Sequence, residues 1–219
     1  MKRLTETERP TTKTFAITNR GEKMKTKIVK IKGDWNEVLN RCRASVKKSP
    51  IAKEPSTEFK RKMMIAEHSP IRAMWVVFRW VDIKYWTAMH WKTHKWESIV
   101  DTQRNDRQKK YDRNKAPQDT LVDLLGEANP QHLIDTWRKR LCRQADPETR
   151  EYAEDFKLAL HETEPEVADV LVPNCIYRCG CPEMNNCGWF AAMVEKCPKI
   201  ASKDIQERYD AYNEVFYGR

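Results

Sequence analysis

Between Asn129 and Arg150 the chain sets a capping amide, the run Arg138-Lys139-Arg140 and then Ala145, Glu148 and Arg150 at spacings that a packed helix alone does not require. A guanidinium presents a planar fork of donors, so Arg140, Arg113 and Arg104 are the residues able to grip a phosphate dianion or the carbonyl oxygens of a base. Any one of them, taken singly, reads as an ordinary surface ion pair. The joint spacing of Arg113 and Arg140 is what singles those two out. A second group is the cysteines: Cys175, Cys179, Cys181 and Cys187 fall within thirteen residues, a density that suits zinc, with Cys197 or a distant His in reserve. The spacing lacks two Cys-x-x-Cys pairs, so a tight loop of reduced, buried thiols stands as the other reading. An iron–sulfur cluster is less favoured.

Read together, these residues resemble the C-terminal signature of the flavin-dependent thymidylate synthases. In that family an Asn is followed by a Leu-Arg element and then by Ala-Gln-x-Glu-Ile-Arg; here the positions read Asn129, Lys139-Arg140 and Ala145-Asp146-Pro147-Glu148-Thr149-Arg150, with the spacing kept. Upstream, Arg113-Asn114-Lys115-Ala116-Pro117 is similar to the family's Arg-x-x-Leu-Pro element, and Glu67-His68-Ser69-Pro70 looks like its His-containing strand entrance. Residues 24–31 followed by Gly33-Asp34-Trp35 look like its first strand and turn. The similarity covers most of residues 24–172. The family's Arg-His-Arg triplet is Thr93-His94-Lys95 here, followed by Ser98, and its Ser-x-Arg pair is Thr102-Gln103-Arg104, displaced by one residue. Lys cannot reproduce a bidentate guanidinium contact. The helical segment that normally precedes the Arg-x-x-Leu-Pro element is missing.

The resemblance implies an α/β fold, a central β-sheet flanked by helices, with a Cys-rich C-terminal extension. It implies an enzyme that converts dUMP to dTMP with reduced FAD and methylenetetrahydrofolate, NADPH re-reducing the flavin, in a homotetramer whose active sites are shared between subunits. By resemblance Arg113 holds the nucleotide phosphate and Arg140 contacts the pyrimidine, with Thr102 and Arg104 beside them and Arg104 close to the chemistry. His68, His94, Lys95 and Asn129 become flavin neighbours. Gln131 and Asp135 stand where the family has Arg and Asn, and a carboxylate beside a pyrophosphate repels it. A nucleotide-binding protein that kept the phosphate and base contacts without flavin chemistry is the alternative.

Composition is compatible with this and excludes other classes. A chain of 219 residues supports one substantial core with appendages. It has no run of about 18 apolar residues and no signal-type N-terminus, so a cytoplasmic protein without membrane insertion is expected. Seven cysteines, an odd number, fit reduced thiols or metal ligands better than a disulfide framework. The net charge of +9 suits phosphate-bearing small molecules as well as nucleic acid, but the basic runs are short and a nucleic-acid partner ranks last.

The elements that must position these residues follow from periodicity. Residues 1–23 read as a mobile basic arm, 24–172 as the nucleotide- and flavin-binding domain and 173–219 as a Cys-rich loop with a final helix. A strand is expected over 25–31, then a helix capped by Asp34 with Trp35, Val38, Leu39, Cys42 and Val46 on its packed side. A second helix starts near Ser56 and ends at His68. Residues 73–83 are rich in β-formers and read as a largely buried strand, and 84–93 as a helix delivering His94. Asn129-Pro130 opens a helix whose stripe is Leu133, Ile134, Trp137 and Leu141, with Arg138 and Lys139 on a solvated face and Arg140 partly enclosed. Asp146-Pro147 opens the next, running through Leu160. Pro165 starts a short one, and the last segment, from Ser202, is helical. Trp86, Trp91 and Trp96 are either flat surfaces for a flavin ring or core packing.

Overall fold

A computed structural model of the chain describes residues 25–107 and 112–218, so the N-terminal arm expected over 1–23 lies outside the described residues. A four-stranded antiparallel sheet forms the centre, in the order β1-β2-β4-β3, from β1 (Thr26–Lys32), β2 (Trp75–Lys84), β3 (Glu97–Val100) and β4 (Leu121–Ala128). In β2 the inward residues Val76, Phe78, Trp80 and Ile83 are fully buried while Arg79 is exposed, the alternation of a strand with one covered face. The phase shifts by one between Trp80 and Ile83, where Asp82 takes φ 54° in a bulge and its amide donates to Asp123.

Helices α1 (Trp35–Ser45), α2 (Thr57–Ile65), α3 (Tyr85–Lys92), α4 (Pro130–Arg140), α5 (Pro147–His161) and α6 (Pro165–Asp169) are followed by α7 (Asn174–Tyr177), α8 (Trp189–Lys196) and α9 (Ile205–Tyr217). Asp34, Ser56, Asn129 and Asp146 cap α1, α2, α4 and α5 with side-chain oxygens accepting from the first-turn amides. The covered face of the sheet meets α3, α4 and α5 through rings: Trp80 lies against Trp91 and Tyr152, Phe78 against Phe156, and Trp137 against Phe156 and Trp91. Truncating one such ring to Ala costs about 3–5 kcal/mol, which makes this cluster the anchor of the fold. Trp91 and Trp137 are therefore core. Trp96 joins the same cluster by stacking on Phe78, and Trp86 is half-buried.

Several elements differ from expectation. Helix α1 stops at Ser45, leaving Val46 60% exposed at its C-cap because Lys47 turns left-handed (φ 58°) behind it. Helix α2 ends at Ile65, and His68 opens a 3₁₀ turn over Ser69–Ala73. Strands β3 and β4 and helices α7 and α8 were not anticipated.

The C-terminal elements share the central core. Ile176, Trp189, Met193, Ile200, Tyr209 and Tyr212 belong to the same apolar cluster as Phe78 and Trp80. Lys157 of α5 is fully buried against them, its Nζ donating to Ala168 O (2.7 Å) and Asn213 Oδ1 (2.8 Å) and facing the rings of Tyr212, Phe216 and Tyr217. Burial pushes this ammonium down to about 7, while the two oxygens and the ring faces supply partners for its charged form.

Candidate functional site

Helix α4 is the scaffold of the site. Pro130 fits its first turn and the Asn129 side chain accepts from His132 N at 3.0 Å, so its amide oxygen is engaged as a cap and its side chain is buried. With Leu133, Ile134, Trp137 and Leu141 turned into the core, helical geometry leaves His132, Asp135, Thr136 and Lys139 along the neighbouring side. These residues form one wall of a cavity of about 430 Å³. The loop Thr93-His94-Lys95 forms a second wall, and Asn174, Tyr177 and Arg178, in and just after α7, a third.

Arg140 holds the second wall in place. Its Nε donates to His94 Nε2 (2.8 Å), its Nη2 donates to His90 O (2.7 Å) and reaches Thr93 Oγ1 (3.5 Å), and the guanidinium lies over the Trp91 ring. Burial, with the nearby charges of Arg140 and Lys139, holds His94 down at about 4, so at neutral pH the imidazole is uncharged and free to accept that hydrogen bond. Trp96 pins the other end of the loop: its Nε1 donates to Trp91 O (2.9 Å) and its ring stacks on Phe78.

Arg138, expected on a solvated face, is instead largely enclosed. It pairs with Glu67, which takes a left-handed backbone (φ 50°) just past α2, and its guanidinium stacks 3.5 Å from the centre of the Tyr177 ring. Gln131 Nε2 also donates to Glu67 (2.6 Å) and to Asp135 Oδ1 (3.2 Å). By contrast Lys95 and Lys139 have no carboxylate partner among the described residues, and Arg178 makes only a hydrogen bond to Asn174 Oδ1 at 3.2 Å. Two buried nitrogens of the lining residues, His132 Nδ1 and Arg138 Nε, have no hydrogen-bond partner among the described residues. The arrangement is a cation-rich cavity in which, among the described residues, Asp135 is the one acidic lining residue. Electrostatically it favours an anion.

The structure thus brings His94, Lys95 and Asp135 together, with Arg140 and Gln131 adjoining. Other sequence candidates do not line this cavity. His68 is exposed at the start of the 3₁₀ turn. Arg104 forms a two-bond pair with Asp106 (2.9 and 2.6 Å), and Thr102 Oγ1 accepts from Arg104 N at 3.4 Å, in the exposed loop after β3. Arg113 is exposed further along that loop, its amide donating to Asn105 Oδ1. The residues missed were His132, Thr136, Arg138, Lys139, Asn174, Tyr177 and Arg178, Arg138 and Lys139 having been read as a solvated face. His132 and Thr136 carried a signal in their place beside the apolar stripe of α4, and Arg138 and Lys139 in the basic run that ends the helix.

For the cysteines, the geometry gives the zinc alternative no support. Among the described residues no group of three His, Cys, Asp or Glu side chains is placed to hold a metal ion, and all seven cysteines are free thiols. The reason is local: Cys179 takes φ 55° and turns its thiol to Ala201 O (3.4 Å), Cys187 is exposed, and Cys175 is half-buried on α7. Burial, with Cys142 and Cys181 nearby, pushes the Cys175 thiol up to about 12. The segment after Cys181 folds back on the turn beyond α4, where Gln144 donates to Asn185 O.

No family model and no curated protein matches the sequence. Solved structures do match the fold. A flavin-dependent thymidylate synthase from Helicobacter pylori, complexed with FAD and dUMP, superposes with a TM-score of 0.56 at 12% identity over 68% of this chain and 100% of its own. A second structure of that enzyme gives the same score over 99% of its length. A UMP/dUMP methylase from Streptomyces cacaoi, bound with 5-bromo-dUMP, matches with a TM-score of 0.53 at 13% identity over 66% of this chain and 93% of its own. The chain has the thymidylate-synthase-like α/β fold of these proteins, together with further residues that their fold does not include.

Proposed function

We propose that the chain binds a deoxypyrimidine monophosphate and acts on it as a flavin-dependent thymidylate synthase or a close relative. The observation that carries the reading is the cavity between α4, the His94 loop and α7, where Lys95, Lys139 and Arg178 have no carboxylate partner among the described residues. Unpaired cations in a concave site favour a phosphate ester through charge-assisted hydrogen bonds. That this cavity occurs on the fold of dUMP-binding enzymes gives the pyrimidine nucleotide its place in the proposal.

The same donor set fits the phosphates of FAD in part. Lys95 and Lys139 would hold them, with Asp135 opposing a second phosphate nearby. Bound FAD would supply reducing equivalents, with methylenetetrahydrofolate as carbon donor and NADPH as reductant. The protein's own contribution is positional. Arg140 fixes the neutral His94 imidazole, Trp96 fixes the loop, and Arg138 fixes the third wall through Tyr177. The exposed Arg104 and Arg113, with Thr102, would serve the cavity of a neighbouring subunit in a homotetramer with shared sites. Residues 24–172 then form the nucleotide-binding body and 173–219 its extension.

One observation favours the alternative of a nucleotide-binding protein without flavin chemistry. The residues implied as flavin or base contacts are occupied internally: Asn129 as a helix cap, Gln131 on Glu67 and Arg140 on His94. Two measurements separate the readings. The purified protein should show the visible absorption of oxidised flavin or quench added FAD fluorescence, and calorimetry should detect dUMP in preference to deoxyuridine. Binding of dUMP without FAD selects the alternative; binding of neither ends both.

A further inference from the structure

The short helix α7 and Arg178 behind it lie in the extension after residue 172, yet they close one side of the cavity. Their position is built in. The backbone N–H groups of Arg178 and Gly180 close the first carbonyls of this four-residue helix, and Arg208 of α9, itself 5% exposed, takes up the last two. Its Nε donates to Ile176 O at 2.6 Å and its Nη2 to Tyr177 O at 2.9 Å, while Nη1 donates to Ser202 O. From the other side Arg138 stacks on Tyr177. One buried guanidinium and one stacked guanidinium therefore fix the backbone that carries Arg178.

Arg178 itself is exposed and spends only Nε, on Asn174 Oδ1. The forked face of its guanidinium remains for a ligand. Lys139 on α4 and Lys95 in the His94 loop contribute from the other two walls, and the only acidic residue among the described lining residues, Asp135, receives a hydrogen bond from Gln131. Cations from three separate elements around one cavity favour a compact, multiply charged anion over a single carboxylate.

We propose that Arg178, supplied by the C-terminal extension, is a phosphate-recognition residue of this cavity, acting with Lys95 and Lys139 on a phosphate ester. The phosphate belongs to a nucleoside monophosphate or to the pyrophosphate of a dinucleotide. The inference builds on the nucleotide reading above, but the anion subsite can be tested apart from it.

The experiment is calorimetric titration of the full chain and of Arg178→Ala and Arg178→Lys with dUMP, deoxyuridine, FAD, riboflavin and inorganic pyrophosphate. Circular dichroism confirms that the variants fold, as expected for an exposed side chain. Arg178→Ala should weaken the phosphorylated member of one pair by about ten- to a hundredfold and leave the unphosphorylated member unchanged, with Arg178→Lys between the two. A selective loss for dUMP assigns the phosphate to the substrate, and one for FAD assigns it to the cofactor. If the wild type binds pyrophosphate but neither dUMP nor FAD, and Arg178→Ala loses the pyrophosphate, the anion subsite stands while the nucleotide reading falls. Phosphorylated ligands held equally by wild type and Arg178→Ala overturn the subsite and leave the nucleotide reading intact. No binding of any of the five by the wild type overturns both.

Discussion

At the residue scale, His94 connects charge to the geometry of the cavity. Its Nε2 must be unprotonated to accept from Arg140, and its pKa of about 4 lies below the ordinary value of 6.5. Between those two values the unfolded chain binds a proton at this position and the folded chain does not. The His94 contribution is therefore complete above pH 6.5 and is lost as pH falls toward 4. In His94→Gln the amide oxygen can still accept from Arg140 but does not titrate. We expect urea midpoints of the wild type to fall more steeply than those of His94→Gln from pH 6.5 to 4, and parallel curves would remove the assignment. A phosphate ligand in the cavity favours imidazolium, so its binding should move the His94 titration upward in an NMR measurement. Arg140 illustrates how a residue type can be legible and its role not. Its spacing and partial enclosure were readable from Trp137 and Leu141, but its use as a brace for the His94 loop depends on a partner 46 positions away.

At the element scale, the capped and periodic helices were readable and the rest of the sheet was not. Asn129-Pro130 and Asp146-Pro147 announce α4 and α5 by local chemistry, and Val76, Phe78 and Trp80 announce β2 by composition. Strand β4 escaped because its inward set is Val122, Leu124, Gly126 and Ala128, two of them small, while Leu121 and Leu125 point outward. Read as a sequence, a glycine amid leucines at mixed phase looks like a break. In the fold it is a packing requirement: a Cβ on Gly126 would lie 2.5 Å from Phe78 Cζ and 2.6 Å from Trp96 Cζ3. Gly126→Ala should therefore cost about 1–3 kcal/mol of stability through overpacking, measured by urea unfolding. Because Trp96 pins the loop bearing His94 and Lys95, the same change should weaken ligand binding under conditions where the variant is still folded. Full stability with unchanged binding would show that the ring stack tolerates the methyl group and does not govern the loop. The α7 wall was invisible for a different reason: four residues carry no periodicity, and its third-wall role comes from Arg208 and Arg138, distant in sequence.

At the scale of the whole molecule, the cavity gathers cations from three elements, whereas Arg104 and Arg113 sit exposed on the loop between β3 and β4 and do not line it. An exposed Arg113 with no carboxylate partner among the described residues is either idle or directed at another chain. The proposed homotetramer with shared sites makes the second case testable by complementation. Where Arg178 holds the phosphate of dUMP, Arg113→Ala and Arg178→Ala should each lower dUMP affinity as separate proteins. If one site takes its cavity from one subunit and Arg113 from a neighbour, random co-assembly of equal amounts should leave about a quarter of the sites with both residues intact. Co-expressed, differently tagged variants purified as hybrids should then regain that fraction of tight sites in calorimetry, and light scattering should return the mass of four chains. A monomer by light scattering, or hybrids with no tight sites, would mean that each chain builds its site alone. In that case Arg113 is a solvated side chain, and phosphate recognition rests on the walls contributed by α4, the His94 loop and the C-terminal extension.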